Sequence, residues 1–256
     1  IDLEFAGPVP RPATGSLSGP AIQVHRNVAD RFRVLANASL GGRGDRFVIQ
    51  VTGVAGGEGA TFVAANLAAA LATGGWSTAL IDADLEHGDQ HRIFRVEPGP
   101  GTRELLDGAP LERVLQQTPV AHGLSLIAAG ARSAADATLH RAKLDELLAA
   151  VSSRFDIVVI DGPPILGAGD AAVLATHVDK TILVTSANHT TQPALERAIR
   201  TIAANEGQLS ALVLVEPTNR PPARDGLNGT NGAAARQVTR ESIETMATIT
   251  TDIPLR

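Results

Sequence analysis

Phe47-Val48-Ile49-Gln50-Val51 leads into Ala55-Gly56-Gly57-Glu58-Gly59-Ala60-Thr61, and that loop opens onto Ala64-Ala65-Asn66-Leu67-Ala68-Ala69-Ala70-Leu71. A short apolar run, a glycine loop and an alanine-rich helical stretch follow in close succession. In that setting the loop's backbone N–H groups and the N-terminus of the helix cradle phosphates. Loops of this kind end in Gly-Lys-Ser/Thr. Here Ala60 stands at the lysine position, and Thr61 stands where Mg²⁺ is ordinarily liganded. Gly56, Gly57, Glu58, Gly59, Ala60, Thr61 and Phe62 are therefore the expected nucleotide-contacting residues, with the main phosphate cation removed.

Outward from the loop, apolar runs alternate with helical patterns. Strands are predicted over 46–52, 76–82, 124–128, 155–160, 181–185 and 211–215. Helices are predicted over 60–73, 139–152, 168–175 and 191–204. The alternation implies an α/β fold: a doubly wound, mainly parallel sheet with helices on both faces. Residues 1–25 are rich in Pro, Gly and Ser and read as a flexible lead-in. Residues 26–216 form the α/β domain and start with an amphipathic stretch over 27–40. Residues 217–256 read as a mobile loop, a short helix near 239–247 and a tail.

The chain has 256 residues, enough for one well-buried domain. Its net charge of −5 argues against nucleic-acid binding. It has no cysteine, which excludes disulfides and thiolate metal sites. No apolar run is long enough to span a bilayer, and no signal peptide is visible. Residue 1 is isoleucine and the single methionine is Met246, so a fragment or processed product is expected, and a membrane segment upstream stays open. Lys143 and Lys180 are the only lysines, and there is no tyrosine.

Two further stretches carry acids to strand ends. Ala79-Leu80-Ile81-Asp82-Ala83-Asp84 places two carboxylates at the edge where open α/β sheets bind ligands. Two residues apart on an extended segment, they point differently: one toward metal-bound water, the other toward a proton to be accepted. Phe155-Asp156-Ile157-Val158-Val159-Ile160-Asp161 delivers a single acid, Asp161, in the manner of a Walker B aspartate bearing on Mg²⁺. Loop, acid pair and lone acid occur in the expected order.

With these residues in place, the chain resembles the tyrosine-kinase domain of bacterial polysaccharide co-polymerases, the BY-kinases, which are relatives of the MinD/ParA P-loop ATPases. The resemblance runs from about Asp30 to Val215. Its marks are the Gly-Glu-Gly of the loop, Ala65-Asn66-Leu67-Ala68, Ile81-Asp82-Ala83-Asp84-Leu85 followed by His91 and Phe94, Gly101-Thr102-Arg103-Glu104-Leu105-Leu106-Asp107-Gly108, Leu126-Ile127-Ala128-Ala129-Gly130, Asp161-Gly162-Pro163-Pro164-Ile165-Leu166, and Asp170-Ala171. It implies Asp82 and Asp84 as vestigial or weak catalytic carboxylates. It implies Thr61, Asp82 and Asp161 as the holders of Mg, where Mg binds.

The departures from that family fall on function. Ala60 replaces the phosphate lysine. Glu86 stands where an arginine is expected, beside the phosphates. Ser186 stands where an arginine often follows the strand, and Val215 stands where an asparagine commonly holds the base. The family's C-terminal tyrosine cluster is missing. In the oligomerisation helix, Asp30 and Arg33 keep the acid and first arginine, but Ala36 replaces the second. His87 and His91, four apart, read as surface or packing residues rather than a metal pair.

The resemblance implies a cytoplasmic regulator or scaffold of bacterial extracellular-polysaccharide assembly and export, at the inner face of the inner membrane. ATP or ADP with Mg is expected to bind weakly or not at all. The expected partner is a membrane polysaccharide co-polymerase or another export-complex protein, reached through Asp30 and Arg33. Homo-oligomers are expected only as a weakened ring. The alternatives are an active tyrosine kinase or ATPase of the same family, with Ala60 engineered or compensated, and a MinD/ParA-type positioning ATPase. Ala55, at the signature-lysine position of the latter group, speaks against it.

Overall fold

The computed structural model describes residues 4–5, 9–11, 46–119, 121–131, 141–167, 169–187 and 189–217. The strands are β1 (Glu4–Phe5), β2 (Val9–Arg11), β3 (Phe47–Gly53), β4 (Thr78–Asp82), β5 (Leu115–Gln117), β6 (Leu124–Ile127), β7 (Ile157–Asp161), β8 (Lys180–Ser186) and β9 (Leu209–Pro217). The helices are α1 (Ala60–Thr73), α2 (Gln90–Phe94), α3 (Thr102–Leu106), α4 (Leu111–Val114), α5 (Arg141–Ser152), α6 (Gly169–Ala175) and α7 (Gln192–Ala204). The sheet runs β1-β9-β8-β3-β7-β4-β6-β5, and β2 also pairs with β9. All pairs are parallel except β5 with β6.

Alternate residues of each strand feed opposite layers. On one face, Val63, Leu67 and Leu71 of α1 pack with Ile49, Val51, Leu80, Val159, Val184 and Val213. On the other, Leu144, Leu147, Leu148 and Val151 of α5 meet Ala79, Ile81, Val158 and Ile160. Farther along that face, Leu195, Ala198 and Ile202 of α7 meet Leu183, Leu212 and Leu214. Both faces are thereby covered, which is why the central strands read as nearly continuous apolar runs. Helix α1 stops where Gly75 N–H bonds Ala72 O at 3.0 Å and Trp76 N–H bonds Leu71 O at 3.2 Å, the two-bond stop of a Schellman motif.

Two expectations are corrected, and one stretch lay beyond them. Residues 4–5 and 9–11, inside the segment read as a flexible lead-in, add strands to β9 through backbone pairing that their Pro- and Gly-rich setting did not suggest. Strand β9 extends beyond 211–215 to Pro217, the first residue of the expected mobile loop, because β2 supplies it with a neighbour on that side. The stretch between β4 and β6 is built from α2, α3, α4 and the antiparallel β5, none of which periodicity marked. The stretches 27–40 and 239–247, with Asp30 and Arg33, lie outside the described residues.

Candidate nucleotide site

The loop between β3 and α1 emerges at the carboxyl edge of the sheet, where ligands of open α/β folds bind. Gly56, Gly57 and Gly59 all adopt positive φ, and Gly59 caps α1 in the left-handed conformation. Glu58 turns inward. It is 2 % exposed, and its carboxylate accepts the N–H of Ala55 at 3.0 Å and of Gly56 at 2.8 Å. Two loop donors are thus committed within the chain. Ala60 is the first residue of α1 and packs against the apolar layer, and half-buried Phe62 does the same.

Neither lysine reaches the loop. Lys143 Nζ lies 3.4 Å from Asp107 Oδ1. Lys180 begins β8, at the edge of the sheet opposite the loop, with Nζ 5.3 Å from the centre of the Phe47 ring.

Strands β4 and β7 are in register so that Asp82 lies directly beside Asp161. Adjacent strands are about 4.8 Å apart, so the two carboxylates share one buried niche. Burial is the main force on both. It pushes Asp161 up to about 7, against hydrogen bonds from Gln90 and Thr61 that hold it down, with Asp84 and Asp89 adding repulsion. It raises Asp82 well above the ordinary carboxylate range, helped by the neighbouring Asp161 and Asp84. Asp84, two residues on, accepts the His87 N–H at 2.9 Å. Thr102 Oγ1 donates to the Asp82 carbonyl at 2.8 Å, which seats α3 against the end of β4.

Gln90 completes the niche. It is fully buried, its backbone N–H donates to Asp82 Oδ2 at 3.1 Å, and its Nε2 donates to Asp161 Oδ2 and to the Thr61 carbonyl, each at 2.9 Å. Asp82 Oδ1 and Asp161 Oδ1 are buried and make no hydrogen bond. Oxygen-only donors with the Thr61 hydroxyl beside them suit a hard divalent cation such as Mg²⁺. Bound there, the cation would neutralise phosphate charge while Thr61, Asp82 and Asp161 held it. Among the described residues no group of three or more His, Cys, Asp or Glu is placed to hold a metal, so such a site depends on the hydroxyl as well as the two acids.

The Glu86 side chain is 86 % exposed and lies 4.0 Å from His87 Nε2, in solvent that screens its charge. Ser186 is buried and its N–H donates to Thr190 Oγ1. Val215 is buried, with its methyls about 4 Å from where a Cβ on Gly59 would stand, so this position does abut the loop. His87 is exposed, and burial lowers the pKa of His91.

A family model described as ParA, NUBPL iron-transfer P-loop NTPase, matches residues 46–219. The chain belongs to the ParA family of P-loop NTPases. This ParA-type domain is 31% identical over 168 residues to the tyrosine-protein kinase YwqD of Bacillus subtilis, covering 65% of this chain and 70% of YwqD. It is 33% identical over 184 residues to the putative tyrosine-protein kinase EpsB of Ralstonia solanacearum, covering 71% of this chain. It spans 24% of the length of EpsB. Among solved structures it resembles the BceF tyrosine kinase domain, with a TM-score of 0.69 and 29% identity, covering 84% of this chain and 93% of that one. The ParA-type domain is therefore a homologue of bacterial tyrosine-protein kinases, with their sheet and helix arrangement. No helix among its described residues is long and apolar enough to cross a membrane.

Sequence reading placed Thr61, Asp82 and Asp161, which the ParA-type fold brings together, and missed Gln90 between them. The signal was slight. Gln90 and Phe94 lie four apart and are both buried, one face of a short helix. A lone glutamine in a polar stretch does not announce that face.

Proposed function

We propose that this domain is a BY-kinase-like protein with a degenerate nucleotide site, acting as a cytoplasmic regulator or scaffold of bacterial extracellular-polysaccharide assembly and export. The observation that carries the reading is Ala60 at the first turn of α1, with both lysines engaged elsewhere. A charge-assisted bond to phosphate contributes roughly 1.5–3 kcal/mol, so its loss weakens nucleotide binding about ten- to a hundredfold. The polysaccharide setting and the co-polymerase partner follow from the BY-kinase resemblance.

Calorimetric titration of ATP·Mg and ADP·Mg tests the reading. Weak or undetectable heats are expected, and submicromolar affinity would overturn it. Lysine restored at position 60 should recover binding only in part. The second reading, an active kinase, draws on the Thr61, Asp82 and Asp161 set that suits Mg²⁺. With no tyrosine among these 256 residues, a kinase of this kind has to act on a tyrosine outside them. Phosphate transfer to a tyrosine-bearing partner tail, abolished by Asp82→Asn, would establish that reading instead.

A further inference from the structure

Gln90 places one amide proton on a carboxylate that a cation would need and the other on the backbone of the residue whose hydroxyl would join it. One Nε2 bond goes to Asp161 Oδ2 and the other to the carbonyl of Thr61, while the backbone N–H of the same residue holds Asp82 Oδ2. A single residue thereby ties the ends of β4 and β7 to the first turn of α1. We propose that Gln90 is a latch on the cation position: its side-chain amide bridges Asp161 to α1, and a divalent cation binds by displacing it. The proposal rests on Thr61, Asp82 and Asp161 being the metal-bearing residues.

Three features make this more than a buried glutamine finding partners. First, a donor on Asp161 Oδ2 occupies lone-pair space that a dry cation requires, so the amide and the cation compete. Second, Asp82 is backed by main chain. Gly88 packs against it so closely that a Cβ there would stand 2.8 Å from both carboxylate oxygens, which limits how far that acid can move toward Gly88. Third, the latch is anchored. Phe94, one turn along α2, is fully buried, and Gln90 N–H is held by Asp82, so release of the amide is a side-chain rotation rather than a shift of the helix. Gln90 Oε1 itself is buried without a partner, which leaves the amide held by its donors alone. The arrangement supplies hydrogen-bond donors to both members of the buried acid pair.

The test uses the full chain without nucleotide, and Mn²⁺ as the probe, read by electron paramagnetic resonance and by calorimetry. Gln90→Met removes both donors and keeps the side-chain length. It should bind Mn²⁺ at least about tenfold more tightly than the unmodified protein, the size expected when a hydrogen bond to a carboxylate no longer competes. Adding Asp161→Asn to that variant should abolish the gain, which locates the ion. Gln90→Ala gives the same comparison should the methionine variant fail to fold. In the unmodified protein, the Gln90 side-chain amide protons should be protected from solvent exchange without metal and lose protection on Mg²⁺ addition. Mn²⁺ affinity unchanged or weakened in both variants would overturn the latch, as would persistent protection with Mg²⁺ bound. Tight nucleotide binding by the unmodified protein would overturn the degenerate-site reading and leave the latch standing.

Discussion

Raising the pH from about 5 to about 8 should loosen this domain when no divalent cation is present. Unfolded, Asp161 releases its proton at its ordinary value of 3.8; folded, it keeps that proton to about 7. Between those values the folded state binds more protons than the unfolded one, so stability falls as pH rises. The stabilising proton is fully present below the unfolded value and lost through the folded one. Each unit of pH between them removes about 1.4 kcal/mol per proton. From about pH 5 to 7 the loss therefore approaches roughly 3 kcal/mol, shared with Asp82, whose raised titration is linked to the same niche. For a domain of this size that is a drop of roughly 6–12 °C in Tm. Lowered His91 acts in the opposite sense at the acid end, so the informative quantity is the difference between the unmodified protein and Asp161→Asn. Calorimetric melts in chelator across this range should show a falling Tm in the first and a flatter profile in the second. Saturating Mg²⁺ should abolish or reverse the fall, because a cation replaces the proton. Equal slopes in the two proteins would refute the buried-acid argument.

Glu58→Ala should remove the carboxylate acceptor from the Ala55 and Gly56 N–H groups, which lie on exposed residues where water takes its place, at a cost of about 1–2 kcal/mol, and hydrogen exchange at those two amides should accelerate. Gly101→Ala should destabilise by about 3 kcal/mol or more in chemical denaturation, because its Cβ would stand 2.0 Å from the Ala128 carbonyl oxygen. With Ala36 unable to donate, light scattering should find a monomer or small concentration-dependent oligomer. A stable nucleotide-free octamer would show that the ring is intact. Charge reversal at Asp30 and Arg33 should disrupt binding to a co-polymerase tail in a pull-down while the melting curve is unchanged.

The helix Ala60–Thr73 was legible to the residue, because a glycine loop fixes its start and Gly74-Gly75 its end. Asp82 and Asp161 were legible because each closes a run of residues buried on both faces, so an acid there has one place to be. What lies between β4 and β6 was not. Helices α2, α3 and α4 have only four or five residues each, too short to display a 3.6-residue period, and they are held by tertiary bonds such as Thr102 Oγ1 to Asp82 O. Strand β5 has three residues and no hairpin turn signal to announce its antiparallel pairing. The direction of Glu58 was equally hidden: a charged residue between two glycines reads as solvated, and only the folded loop turns it onto its own backbone.

Strands β1 and β2 finish the sheet on the β9 side, as the brief antiparallel β5 finishes the other. A row of open backbone groups on a strand as long and apolar as β9 invites another chain to pair with it. Residues 4–5 and 9–11 thus act as a selvedge, the bound border that keeps a fabric from unravelling or catching. A shortened protein beginning at Arg46 would carry the whole site and still present a raw edge. Its association in solution would then report the missing border rather than any assembly of the native domain.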